Sequence, residues 1–181
     1  MRMINYVEEV EVPEGIEIKL DGNIITLKAE KGELSRDFKN PKIDLEIKDN
    51  KVLFKVKKAS KREKTMVGTF KAHIKNMFKG VREGHFYKLK ICSGHFPMNV
   101  AINNNKFSVK NFLGEKTPRT VIIREGVDVK IDGEFIEVKS INKELAGQTA
   151  ANFEQLTRIT DRDINKFQDG IYIINKDGKD I

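Results

Sequence analysis

Cys92 and His95 stand three residues apart, the spacing of a conceivable thiolate nucleophile and its base. Such pairs are usually assembled in space and not in sequence, and no acid beside these two would orient the imidazole. Cys92 is the only cysteine, so an intrachain disulfide is impossible and a lone thiol cannot build a zinc site. His73, His85 and His95 lack metal-ligand spacing, and structural roles are expected for His73 and His85. Asp161 and Asp163 could be imagined as an acid pair, but in an Asp-Arg-Asp run they are expected to face water beside Arg158 and Arg162. Gly114-Glu115-Lys116 resembles half a phosphate loop only superficially, and no nucleophile elbow, P-loop, GxGxxG or HExxH is present. Catalysis, a metal site and a cofactor are therefore not expected.

Binding chemistry is better supplied. Lys and Arg outnumber Asp and Glu by 34 to 27, giving a net charge of +7 and a pI near 9.3. That excess favours an anionic partner, with nucleic acid ahead of a membrane because no amphipathic anchor is visible. A soluble protein that happens to be basic is the bland alternative. Residues 1–82 hold 19 basic and 13 acidic side chains, and residues 83–181 hold 15 and 14. The run Lys55–Lys64 has six basic residues against one acid, and reads equally as a solvated loop or a phosphate contact. The last 25 residues, from Thr157, mix Arg158, Arg162 and Lys166 with Phe167 and Tyr172, and look too polar for core. Cations for phosphates and flat rings for exposed bases are what a nucleic-acid contact needs.

These residues need elements to position them, and the chain supplies them twice. A shift of 82 positions lays Val109-Lys110 over Leu27-Lys28 and Gly114-Glu115 over Gly32-Glu33. The same shift lays Val127, Val129, Phe135 and Val138 over Leu45, Ile47, Leu53 and Val56. A shift of 79 then lays Gly147, Ala151, Phe153 and Leu156 over Gly68, Ala72, Ile74 and Met77. Such self-similarity implies an internal duplication, with tandem domains at 1–82 and 83–181. Within each copy apolar residues alternate, as in Ile16-Ile18-Leu20 and Tyr87-Leu89-Ile91, with turn chemistry at Asp21-Gly22-Asn23, Asp49-Asn50, Asn103-Asn104-Asn105 and Asp132-Gly133. A helix then follows. Ser60 and Glu63 fit a capping box, Val67, Phe70, Ile74, Met77 and Phe78 recur at helical spacing, and Gly80 sits where the helix would stop. The second helix carries Leu145, Ala146, Ala150, Phe153 and Leu156 on one face. The expected fold is α+β: two duplicated domains, each a small antiparallel sheet with one helix packed on one face, the second ending in a binding tail. No secretory signal opens the sequence and its apolar runs are short, so a soluble intracellular protein is expected.

The ordered series SGHFPMNV (93–100), NFLGEKTPR (111–119), AGQTAANFEQLT (146–157) and KFQDGIYI (166–173) resembles the ribosomal protein L-six family of the large subunit, in its archaeal and eukaryotic branch and on the archaeal side of it. The resemblance spans nearly the whole chain, including the duplication. It implies a non-catalytic constituent of the cytoplasmic ribosome, bound to large-subunit ribosomal RNA near the sarcin-ricin loop and the stalk base. Its expected neighbours are other large-subunit ribosomal proteins and translation factors, with no membrane and no homo-oligomer. By matching positions, the RNA face falls on His95, Phe96 and Pro97, on Lys110, Asn111, Phe112, Gly114, Glu115, Lys116 and Arg119, and on Arg158 through Tyr172. The last span includes Arg162, Lys166, Phe167, Gln168, Asp169 and Gly170. In this reading Lys116, Arg119, Arg158 and Arg162 neutralise phosphates and Gly114 lets backbone approach one. Phe96, Phe112 and Phe167 either stack on bases or pack beneath the loops. A protein-interaction module built from the same two domains is the alternative.

Overall fold

The computed structural model describes residues 4–163 and 165–181, and Lys58 by its backbone alone. The architecture is α+β, and the chain divides into two compact units, Met1–Gly84 and His85–Ile181.

The first unit runs β1 (Ile4–Glu11), β2 (Glu17–Asp21), β3 (Ile24–Ala29), β4 (Gly32–Asp37), β5 (Ile43–Lys48), β6 (Lys51–Ala59) and α1 (Lys61–Arg82). Two antiparallel sheets result, in the orders β2-β3-β4 and β1-β6-β5. Tight turns set the hairpins: Asp49 and Asn50 both take left-handed φ (48° and 58°), matching the twist of the strands they join. Alternation does the rest. Ile25 and Leu27 of β3 and Val52, Phe54 and Val56 of β6 are buried, and α1 lays Val67, Ile74, Met77, Phe78 and Val81 against both sheets. Two sheets form under one helix because the chain leaves β4 through buried Phe38 and the Asn40-Pro41 bend, and starts β5 in a new ladder. The edge of Phe70 meets Phe38, with centroids 5.3 Å apart, and ties that crossing to α1.

Three local expectations change. Residues 55–64 are not a loop: they finish β6 and open α1, with only Ser60 between. Lys51, Lys55 and Lys57 of β6 ride its outer face while Val52, Phe54 and Val56 point in, as strand alternation requires. The helix also continues past Gly80, which is buried inside it; the left-handed residue that ends it is Gly84 (φ 82°), whose amide donates to Gly80 O at 3.0 Å. Finally, β1 is a strand that its acids disguised. Val10 is buried, while Glu8 takes a hydrogen bond from Tyr6 (2.7 Å) and an ion pair from Lys71.

The start of α1 is well capped and poorly charged. Glu63 accepts from the Ser60 amide at 2.9 Å and from the Ser60 hydroxyl, and Lys42 lies 2.9 Å from its other oxygen. The Ser60 hydroxyl and Lys42 hold the Glu63 carboxyl at about 2. Around it stand Lys61, Arg62 and Lys64, at the end where the helix dipole disfavours a cation by about 0.3–1 kcal/mol each.

The second unit runs β7 (His85–Cys92), β8 (Asn99–Asn103), β9 (Lys106–Lys110), a 3-10 turn (Phe112–Gly114), β10 (Arg119–Ile122), β11 (Val127–Asp132), β12 (Phe135–Ser140), α2 (Lys143–Leu156), β13 (Gly170–Lys176) and β14 (Lys179–Asp180). Its sheets are β10-β9-β8 and β11-β12-β7-β13-β14. Phe107 of β9 stacks on Phe153 of α2 at 3.9 Å, surrounded by Leu89, Ile136, Val138, Ala146, Ala150 and Ile171. A Cβ at Gly147 would stand 3.1 Å from the Tyr87 hydroxyl, so α2 approaches its sheet as closely as its small residues allow.

Two sequence expectations fail here. The tail is not outside the core: β13 pairs with β7, and Ile171 is 1% exposed. The repeat offset is not constant either. Leu27 pairs with Leu34, whereas Val109 pairs with Arg119, so the β9–β10 connection is longer and Gly114 has no counterpart at Gly32. In the next hairpin Lys48 faces Lys51 and Asp132 faces Phe135, which makes Phe54 and not Val56 the equivalent of Val138. A two-residue slip keeps every side chain on its own face, so alternation alone cannot detect it. His85 does take the structural part expected of it: it is 1% exposed and its Nδ1 lies 3.0 Å from Asp177 in the β13–β14 turn.

Candidate nucleic-acid interface

Three connections of the second unit meet on one side of it: 93–97 between β7 and β8, 110–119 between β9 and β10, and 158–169 between α2 and β13. Each junction is a specific contact. Asn111 Nδ2 donates to Pro97 O at 3.1 Å. The Phe96 ring lies 3.7 Å from where a Cβ of Gly114 would stand. The amide of Gly94 and, at 3.2 Å, that of His95 donate to one oxygen of Asp169, and His95 Nδ1 lies 2.8 Å from the other.

Asp169 is therefore a buried tie. Burial raises its pKa, but the donors from Gly94 and His95 outweigh that and hold the carboxyl below its usual range. It is the orienting acid for His95 that the local sequence does not reveal, because it lies at the far end of the connection before β13. Gly170 beside it has no side chain where one would meet the Tyr172 ring at 3.1 Å. The freed ring lies exposed at 39%. His95 also packs on Phe167, with centroids 5.0 Å apart, and Arg162 caps the same ring at 5.1 Å.

Arg119 is the second tie. Its guanidinium forms a fork with Glu115 (2.8 and 2.6 Å) and donates to Leu156 O at 2.8 Å and Arg158 O at 3.2 Å. Its face covers the Phe112 ring at 4.4 Å, and Phe112 is 1% exposed. Hydrogen bonding from Arg119 lowers the Glu115 pKa. Asn111, Leu113 and Gly114 all take left-handed φ (59°, 49° and 80°). For a leucine that costs about 1–2 kcal/mol, and the buried Phe112 and Arg119 contacts hold it there.

The eighteen expected positions thus divide by exposure. Phe112, Asp169 and Gly170 are buried, and Arg119, Glu115 and Phe167 are engaged with protein partners. Phe112 packs, and Arg119 spends its donors internally. Gly114 is needed for its left-handed backbone beside Phe96. Lys110, Lys116, Arg158, Arg162, Lys166 and Gln168 face solvent with Asn111, Pro97, Phe96 (43%) and Tyr172. His95 presents an edge, and Ile164, within the span from Arg158 to Tyr172, lies outside the described residues. Asp161 and Asp163 are exposed as expected, and Asp163 shapes the turn by accepting from the Asn165 amide at 2.9 Å. Two positions were missed. Lys90 and Ser93 line an open depression of about 680 Å3 with His95, Lys166, Gln168 and Tyr172. Lys90 was legible in principle, because the inward alternation of Tyr87, Leu89 and Ile91 turns it outward, directly across from Tyr172.

Comparison with known proteins bears on the same segments. A family model described as Ribosomal protein L6 matches residues 12–84 and 96–170. A chain of Methanococcus vannielii described as large ribosomal subunit protein uL6 is 45% identical over 172 residues, 95% of this chain and 94% of its own. Another of that description, from Methanobrevibacter smithii, is 44% identical over 170 residues, 94% of this chain and 96% of its own.

Proposed function

Because this chain belongs to the ribosomal protein L6 family, in its archaeal branch, and is a structural protein and not an enzyme, we propose that its second unit binds large-subunit ribosomal RNA through the joined connections 93–97, 110–119 and 158–172. The family places the protein in the large subunit of the cytoplasmic ribosome, among its RNA and other proteins. The site proposed for it there is near the sarcin-ricin loop and the stalk base, where it supports the region that translation factors visit, as a single copy.

One observation carries the reading. Lys110, Lys116, Arg158, Arg162 and Lys166 face solvent around exposed Phe96 and Tyr172, on loops tied from beneath by Asp169 and Arg119. Cations that remain outside while their loops are pinned inside can meet phosphates without a large ordering cost. Two accessible rings beside the Lys90–Tyr172 depression offer stacking faces for unpaired bases.

Replacing Lys110, Lys116 and Lys166 together by glutamine tests this in the full chain. Binding to an archaeal large-subunit ribosomal RNA transcript is expected to lose about two units of log–log salt slope, at roughly 0.7–0.9 per phosphate contact, with the melting temperature unchanged. Unchanged affinity and slope would remove these loops from the RNA.

A further inference from the structure

The unused charge of the molecule lies on α1. Its 22 residues carry seven basic side chains and one acid, Glu63. At 100° per residue, Lys61, Lys64, Lys71, Lys75, Lys79 and Arg82 fall along one flank, a row of about 30 Å at 1.5 Å rise per residue. Lys61, Lys64, Lys75 and Arg82 are exposed, and Lys71 is paired with Glu8. The nearby acids Glu9 and Glu11 of β1 lie 3.5 and 3.4 Å from Lys51 of β6, which leaves the row positive despite Glu83 at its far end.

Folding uses only part of this row, Lys71 in its pair with Glu8 and Lys64 over the Tyr6 ring at 5.3 Å. α2 holds the equivalent place in its own unit with one basic and two acidic residues, and packs as well without it. The cations of the first turn stand where the helix dipole disfavours them, so stability alone would have chosen acids. A protein partner would ask for an apolar centre, but Met66 is the only large apolar side chain exposed on α1 among the described residues, and helical geometry turns it to the opposite flank.

We propose that this flank of α1 is a second RNA-binding surface, independent of the face in the second unit, which grips the sugar-phosphate backbone of large-subunit ribosomal RNA without reading its sequence. A straight row of point charges with no exposed ring among them suits phosphates and offers nothing to a base. It also accounts for the basic excess of the first unit, 19 against 14 over residues 1–84, which the second unit's face leaves unexplained.

The test uses the full chain and an archaeal large-subunit ribosomal RNA transcript across a salt series. Replacing Lys61, Lys75 and Arg82 by glutamine is expected to reduce the log–log salt slope by roughly two units and to weaken binding at least about tenfold at moderate salt. Lys61→Arg with Lys75→Arg should bind as the parent does, since only charge matters. An unchanged slope in the glutamine variant, with an unchanged melting temperature, would overturn the proposal. So would normal binding to the transcript combined with failure to enter reconstituted subunits, which would assign the row to a protein. Running Lys110, Lys116 and Lys166 to glutamine beside it separates the two surfaces. If only the row variant loses slope, the second unit's face is wrong and this surface stands; if only the loop variant does, the reverse holds.

Discussion

Asp169→Ala is expected to cost the second unit roughly 3 kcal/mol and to abolish tight RNA binding, although the Asp169 side chain is buried. Its carboxylate is 1% exposed and receives two backbone amides and an imidazole. Removing it takes the shared acceptor from the Gly94 and His95 amides and the His95 ring at once, and the loss of three hydrogen bonds to one buried, charged acceptor sets the size of the effect. Segment 93–97 then comes away from 168–170, and Phe96, His95 and Tyr172 lose their common platform. Asp169→Asn keeps the shape and one carbonyl oxygen, so it should fall between. The same tie predicts an acid dependence. Because the donors hold the folded carboxyl below its usual range, its stabilisation is complete above that range and disappears as pH falls through the lowered value. Thermal melts of the parent and Asp169→Ala should therefore converge toward low pH, and parallel melts across pH would show that Asp169 is not the tie described.

Arg119→Ala is the second large effect, with a loss of about 2–3 kcal/mol and a fall in RNA affinity that exceeds the loss of one phosphate contact. The fork with Glu115, the two carbonyls at the end of α2 and the cover over Phe112 all depend on one planar guanidinium. Without it the left-handed run through Asn111 and Leu113 has little to hold it, and Lys116 loses its fixed place. Arg119→Lys should rescue little, because an ammonium cannot serve the fork and the carbonyls together. Lys116→Ala is the contrast: it should weaken binding with no change in melting. Were Arg119→Ala to melt like the parent and lose only one salt-slope unit, the arginine would be a phosphate ligand and not a tie.

These two residues also mark where the sequence stopped being legible. The tandem pattern, the antiparallel strands, both helices and the Ser60–Glu63 cap are local, and alternation or helical spacing exposes them. The second sheet of the first unit depends on where Phe38 and Pro41 turn the chain, which no period records. β13 was hidden because Ile171, Tyr172 and Ile173 alternate correctly inside a polar segment, and their partner β7 lies some eighty residues earlier. The segments of the interface could be named from motifs, but not which residues face inward. An arginine beside Gly-Glu-Lys and an aspartate before Gly170 look like surface groups until the contacts that bury their work are seen.

The most direct measurement is ultraviolet cross-linking of the full chain to a large-subunit ribosomal RNA transcript, with the linked peptides identified by mass spectrometry. Links are expected within 93–97, 110–119 and 158–172, with Phe96 and Tyr172 as the aromatic attachment points, and they should vanish together in Asp169→Ala. Links confined to the remaining surface of the second unit, or three segments that respond independently to that substitution, would contradict the account.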